Sequence, residues 1–284
     1  MNTPGGDHQL PLFGESDPKA IGHASVEHIQ ASSILTKASG FMDAYDFTLN
    51  PYSGCSFGCT YCYAAFFARD ADLRNQWGYW VKAKTNAISM MAKIRKPIEG
   101  KKIYMSSVTD PYQPIEKKLE LTRGILQLLV KKQPHLVVQT RSALVTRDLD
   151  LLRQFDNVRV NMTVTTDSEV VRKAFEPMCP SNQQRLDAIR DCAEAGVDTA
   201  ITMTPLLPVD DPESFAKELA TARASRYVVQ PFHAERGKFV RGTRDEALEI
   251  TRRYNWTFET YQHTVGVLRQ YLPSLVEGKD GFLP

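Results

Sequence analysis

Three of the five cysteines in this 284-residue chain, Cys55, Cys59 and Cys62, fall within eight residues at a C-x3-C-x2-C spacing. Thiolates are soft ligands, and three on one short loop can each take one iron of a cubane, leaving one iron without a protein ligand. Gly54 and Gly58 let the backbone wrap closely around such a group. The competing chemistry is structural zinc, which takes four protein ligands; no nearby Cys or His completes a tetrahedron, so zinc would need a distant one. An iron lacking a thiolate can chelate the amino and carboxylate groups of S-adenosylmethionine and pass an electron to its sulfonium, which produces a 5′-deoxyadenosyl radical.

The run Asn50-Pro51-Tyr52-Ser53-Gly54-Cys55 to Cys62, with Tyr61 directly before the last cysteine, resembles the defining motif of the radical SAM family. Thr109 to Glu116, Arg147 to Leu152 and Glu176 to Ser181 are similar to its spore photoproduct lyase-like branch, and the resemblance runs from Asn50 to Pro208. It implies a partial (β/α)6 barrel of the α/β class, with a four-iron four-sulfur cluster and S-adenosylmethionine at its mouth. It also implies an electron donor such as a reductase, flavodoxin or ferredoxin.

The same resemblance implies roles by position. Polar groups ending the second strand meet the methionyl amino group, which here are Ser107, Thr109 and Asp110; capping of the turn at Pro111 is the other reading of Asp110. Arg141, after the third strand, matches the cation that meets the cofactor carboxylate, against a plain surface ion pair. Thr163 and Thr165 alternate on the fourth strand toward the ribose or carboxylate, and Leu206 lies in the adenine-contacting segment Thr204 to Pro208. Glu176 and Arg185 flank the Cys179 loop as a supporting ion pair or a solvated one.

At one position the chain departs from the branch. Spore photoproduct lyase repairs a thymine dimer lesion and needs a cysteine after the second strand to return a hydrogen atom; Ser107 stands there, and its O–H bond is too strong to substitute. Cys179 could donate instead, or be a small buried thiol. Tyr63 and Tyr112 adjoin the cluster and cofactor segments, where they could relay a hydrogen atom, stack on substrate or simply pack. Cys192 shares a helical face with Leu186 and Ile189 and reads as core.

Positioning these groups requires strands that end near them. Buried strands are expected at 47–49, 103–105, 136–139, 158–164, 200–203 and 227–229, with helical patterns at 77–94, 119–132, 146–154, 181–195, 212–224 and 243–271. Ser181 reads as an N-cap and Gly196 as a helix stop. Strand and helix alternation implies a parallel sheet whose strand C-termini carry the site. Residues 1–45 read as an extended arm, 46–235 as the barrel core and 236–284 as a C-terminal helical extension.

With 42% hydrophobic residues the chain can bury a sizeable core, and it has no run of eighteen apolar residues. The polar N-terminus and an odd, clustered cysteine set predict a soluble cytoplasmic protein that does not meet the membrane. A net charge of +2 neither demands nor forbids a polyanionic partner. Nucleic acid is one expected partner: Arg223, Arg226, Arg236, Lys238, Arg241, Arg244, Arg252 and Arg253 interleave with Phe232, His233, Phe239, Tyr254 and Trp256. A small metabolite or protein substrate is the alternative, and an electron-transfer or iron-sensing role without radical chemistry is the third reading.

Overall fold

The computed structural model describes residues 18–68, 70–232 and 245–284. Twelve strands follow the chain among these residues: β1 (Ala20–Ile21), β2 (Ala24–Ile29), β3 (Leu35–Lys37), β4 (Phe47–Leu49), β5 (Tyr52–Gly54), β6 (Trp80–Lys84), β7 (Lys102–Met105), β8 (His135–Thr140), β9 (Val158–Thr163), β10 (Asp198–Met203), β11 (Arg226–Val229) and β12 (Leu275–Glu277). The helices are α1 (Ala71–Asn75), α2 (Ala87–Ala92), α3 (Glu116–Leu119), α4 (Leu121–Val130), α5 (Leu149–Leu152), α6 (Glu169–Phe175), α7 (Asn182–Glu194), α8 (Pro212–Thr221), α9 (Asp245–Arg253) and α10 (Phe258–Tyr271). Among the described residues no helix is long and apolar enough to cross a membrane.

The six expected strands are β4 and β7 to β11. They pair parallel in sequence order within an eight-stranded sheet, β12-β11-β10-β9-β8-β7-β4-β3, and form the partial barrel. Side chains alternate across this wall. Leu49, Met105, Val138, Met162 and Met203 belong to the main core shared with α4, α7 and α8, while Tyr104, Val137 and Val228 pack with Met42, Tyr45 and Phe282. Nearer the strand C-termini the interior turns polar. Tyr104 donates to Gln139 Oε1 at 2.9 Å, and Gln139 Nε2 donates to Thr163 and Thr202 at 2.8 and 3.0 Å.

A second sheet, β1-β2-β6-β5, braces the cysteine loop, because β5 ends at Gly54 and pairs antiparallel with β6. The N-terminal segment expected to be extended supplies β1 and β2 to this sheet and β3 to the barrel sheet. The helix expected over 77–94 is overturned in part: residues 80–84 are strand β6, and only Ala87–Ala92 are helical. Pairing with β2 on one side and β5 on the other overrides the local pattern. The pattern over 243–271 likewise divides, since Asn255 has φ 49° and Thr257 opens α10 with a capping box. Helix α7 has the expected ends, with Ser181 in a capping box and Gly196 at φ 81°.

Gly54 sits where both sheets and the cysteine loop meet. Its φ is 75°, and a Cβ there would lie 2.5 Å from the Trp80 ring and 2.6 Å from the Trp80 carbonyl oxygen. Gly22 has a φ of 55° but open space around it. Gly22→Ala should therefore cost only the left-handed conformation, about 1–2 kcal/mol, and Gly54→Ala distinctly more. Urea denaturation of both variants checks this, and equal losses would contradict the packing argument.

Candidate functional site

Cys55 directly follows β5, and the loop through Cys62 leads into a short 3-10 helix, Tyr63–Phe67. Cys55 and Cys59 are buried and Cys62 is partly buried. Three sets of contacts lock the loop. From the segment after β7, Gln113 accepts from the Ser56 N–H at 3.0 Å and donates to the Gly54 carbonyl at 3.4 Å, while Thr109 donates to that carbonyl at 2.6 Å. Tyr63 donates to the Ser107 carbonyl, and Asn50 donates to Ser107 Oγ at 3.4 Å. From the end of α6, the Phe175 carbonyl accepts from the Thr60 N–H at 2.9 Å.

The third set is electrostatic. Glu176, with no solvent exposure, accepts from the Tyr61 hydroxyl and from Thr165 at 3.2 Å. Arg185, equally buried, lies 2.6 Å from its other oxygen. Arg141 Nε is 3.6 Å away, and the Arg141 guanidinium also donates to the Tyr61 hydroxyl at 3.3 Å and lies over the Tyr61 ring. Burial would push the Glu176 carboxyl up, but Arg185 and Arg141 outweigh it and hold the group below the usual glutamate range.

Asp110 is buried, and donors of this chain meet both its oxygens: Oδ1 accepts from the Tyr112 N–H at 2.9 Å and Thr140 at 2.8 Å, and Oδ2 from the Arg141 N–H at 2.7 Å. It thus caps the turn at Pro111 and also pins the start of the Arg141 loop. Thr163 belongs to the polar interior, and its carbonyl accepts from Arg185 at 3.0 Å. Leu206 is fully buried, with its N–H bonded to the Gln230 carbonyl at 2.8 Å. Tyr112 is drawn elsewhere: its buried ring lies under Arg147, which pairs with Glu116 and Asp148 at 2.8 Å each.

Cys179 comes to the loop from the segment between α6 and α7, with its Sγ 3.7 Å from Cys59 Sγ. Burial pushes Cys55 and Cys62 up, the latter to about 11, while the Cys179 contact draws Cys59 down. A fourth thiol is the distant ligand that a zinc reading requires. Yet among the described residues no three Cys, His, Asp or Glu side chains converge as a single ion needs. Three thiols on a glycine-bent loop, with cations beside them, suit a polynuclear anionic group in which each sulfur meets a different metal.

Sequence reasoning missed the work of Gln113, Thr60 and the Tyr61 hydroxyl. Gln113 stood inside a recognised segment, but only its fourfold spacing from Thr109 hinted at a shared target. Of the basic and aromatic set, Arg236, Lys238, Arg241, Arg244, His233 and Phe239 lie outside the described residues. Arg226 opens β11 and donates to the Leu283 carbonyl at 2.8 Å, at the strand N-termini and away from the cysteines. Arg253 pairs with Glu249 on α9.

The family model of the radical SAM superfamily matches residues 49–222. An uncharacterized protein of Methanocaldococcus jannaschii is 39% identical over 57% of this chain, and the chain spans only 61% of that protein's length. An uncharacterized protein of Acidianus two-tailed virus is 31% identical over 79% of this chain and 78% of its own. Among solved structures, a spore photoproduct lyase mutant aligns with TM-score 0.65 and 15% identity over 89% of this chain and 81% of the other. A further mutant of that enzyme, with bound AdoMet and dinucleoside spore photoproduct, aligns at TM-score 0.60 and 17% identity over 89% and 80%. At these identities the likeness concerns the fold.

Glu176→Gln should destabilise the chain by about 3–5 kcal/mol, because it leaves the Arg185 guanidinium buried without countercharge. The folded carboxyl titrates below its unfolded value, so its contribution is complete above about pH 4.3 and fades as pH falls through the folded value. The stability gap between wild type and variant, followed by urea denaturation, should therefore be widest near pH 7 and narrow on acidification. A gap independent of pH would mean that the carboxylate is not the ionised partner of Arg185.

Proposed function

Since the chain belongs to the radical SAM superfamily, we propose that it is an enzyme of radical chemistry, that Cys55, Cys59 and Cys62 hold a four-iron four-sulfur cluster that cleaves S-adenosylmethionine, and that the substrate is a nucleic-acid base. When bound, the cluster supplies the electron that breaks the sulfonium and yields a 5′-deoxyadenosyl radical. The observation that carries this reading is the cysteine loop itself, buried at the strand C-termini and clamped from both β7 and α6.

The chain's own groups have distinct tasks in this reading. Thr109 and Gln113 fix the carbonyl before the first ligand, and Asp110 transmits that position to Arg141 through the main chain. Arg141 has five N–H donors, and its contacts to Tyr61 and Glu176, at 3.3 and 3.6 Å, are long for charge-assisted bonds. It therefore retains donors for the carboxylate of the cofactor's methionyl part. In this reading Ser107 is left to meet the cofactor's amino group, while Thr163, Thr165 and Leu206, all buried, support the site from within: Thr163 is bonded to Gln139, Thr165 to Glu176, and Leu206 packs in the main core. A small electron-transfer protein, such as a flavodoxin or ferredoxin, would be the reductant.

Support for a base substrate comes from the mouth and from the fold relative that holds a dinucleoside photoproduct. Tyr63 and Phe67, immediately after the last ligand, are 40% and 60% exposed and so offer ring faces for stacking. With Ser107 where the lyase needs a thiol, the reaction would differ from thymine-dimer repair.

Anaerobically prepared protein should carry about four irons and four sulfides, with visible absorption that dithionite bleaches, and the Cys55, Cys59 and Cys62 alanine variants should each lose them. Retention of iron and spectrum in the triple variant would refute the ligand assignment. Arg141→Ala should keep the iron and weaken S-adenosylmethionine binding by about 1–3 kcal/mol; calorimetry showing unchanged affinity would move the carboxylate contact elsewhere. For the substrate, reduced enzyme given deuterated nucleic acid should move label into 5′-deoxyadenosine. Transfer from a metabolite pool and none from nucleic acid would replace the base reading.

A further inference from the structure

Resting on the cluster reading above, we propose that Cys179 is a positioning residue, whose thiol donates a hydrogen bond to the Cys59 sulfur and thereby raises the reduction potential of the cluster. The two sulfurs lie 3.7 Å apart, within reach of an S–H···S bond, and Cys179 is only 8% exposed. Its main chain is fixed on both sides. The Cys179 N–H donates to the Glu176 carbonyl at 3.1 Å, and its carbonyl accepts from Arg172 Nη1 at 2.9 Å.

Arg172 is itself held. Its Nε meets the Glu169 carboxylate at 2.9 Å, and its Nη1 also donates to the Glu176 carbonyl at 3.2 Å. One residue further on, the Pro180 carbonyl accepts from Arg185 Nε at 3.0 Å. The loop that presents the thiol is thus bonded to the same Arg185 and Glu176 that order the cysteine loop, so the sulfur-to-sulfur contact is built in rather than incidental.

Direction follows from chemistry. A cysteine bound to iron has given up its proton, so the hydrogen in the pair belongs to Cys179 and Cys59 is the acceptor. Reduction adds negative charge to the cluster and its ligand sulfurs, which strengthens a bond donated to them and favours the reduced form. A thiol aimed at Cys59 is also turned toward the ligand loop, which separates this role from hydrogen-atom donation to a substrate.

The test compares Cys179→Ala and Cys179→Ser in the reconstituted full chain, with iron and sulfide analysis and an EPR-monitored redox titration. Both variants should keep wild-type iron and sulfide. Cys179→Ala should move the midpoint to more negative potential, by about tenfold in the reduced-to-oxidised ratio at fixed potential, or about 59 mV for one electron. Cys179→Ser keeps a donor and should stay close to wild type. Wild-type potential in the alanine variant, or equal shifts in both, overturns the proposal. Loss of iron in Cys179→Ala also overturns it, by making the residue a ligand. Wild-type protein that binds no iron would instead sink the cluster reading beneath it.

Discussion

A carboxylate cut off from water stays ionised only if cations are buried with it, and the site depends on this constraint at Glu176. Its partners come from separate parts of the chain: Arg185 from α7, Arg141 from the loop after β8, Thr165 from the end of the β9 region and Tyr61 from the cysteine loop. None of these segments can shift without leaving charge or a hydroxyl unsatisfied in a low-dielectric interior. The carboxylate therefore acts as the common reference point for the mouth of the barrel.

The other side of the cysteine loop is referenced to β7 by neutral hydrogen bonds. Gln113 uses both ends of its amide, accepting from Ser56 and donating to Gly54, and Thr109 shares the Gly54 carbonyl. Gly54 has no room for a side chain because the Trp80 ring closes over it, which ties the loop to the smaller sheet as well. Three cysteines on a loop held from three directions form a pre-organised set of thiols, which is what the proposed cluster would need from its surroundings.

Asp110 illustrates how one buried carboxylate can position two segments at once. Its carboxylate joins the turn at Pro111 to the start of the Arg141 loop, so the position of the Arg141 cation is inherited from a strand away. Capping the turn and placing Arg141 are not alternatives here, because one oxygen of the carboxylate does the first and the other does the second. The second charged group, Glu116 with Tyr52 and Arg147, does comparable work below the mouth and absorbs Tyr112 into its packing.

The sequence by itself determined the radical SAM membership carried by the cysteine motif and the six barrel strands. A strand with one face on the main core must be apolar at alternate positions at least, so runs such as Val158–Thr163, with Val158, Val160 and Met162 on that face, announce themselves locally. Helix α7 was equally legible, since Ser181 and Gly196 are caps defined by neighbours in sequence. Only the tertiary structure decided the strand at Trp80–Lys84, whose partners lie about 55 and 29 residues away and leave no periodic trace in the segment. It also decided which charges meet. Glu176 and Arg185 were visible as a pair, but their closure over Tyr61 and Arg141, and the approach of Cys179 to Cys59, arise from long-range packing of loops that no spacing rule encodes.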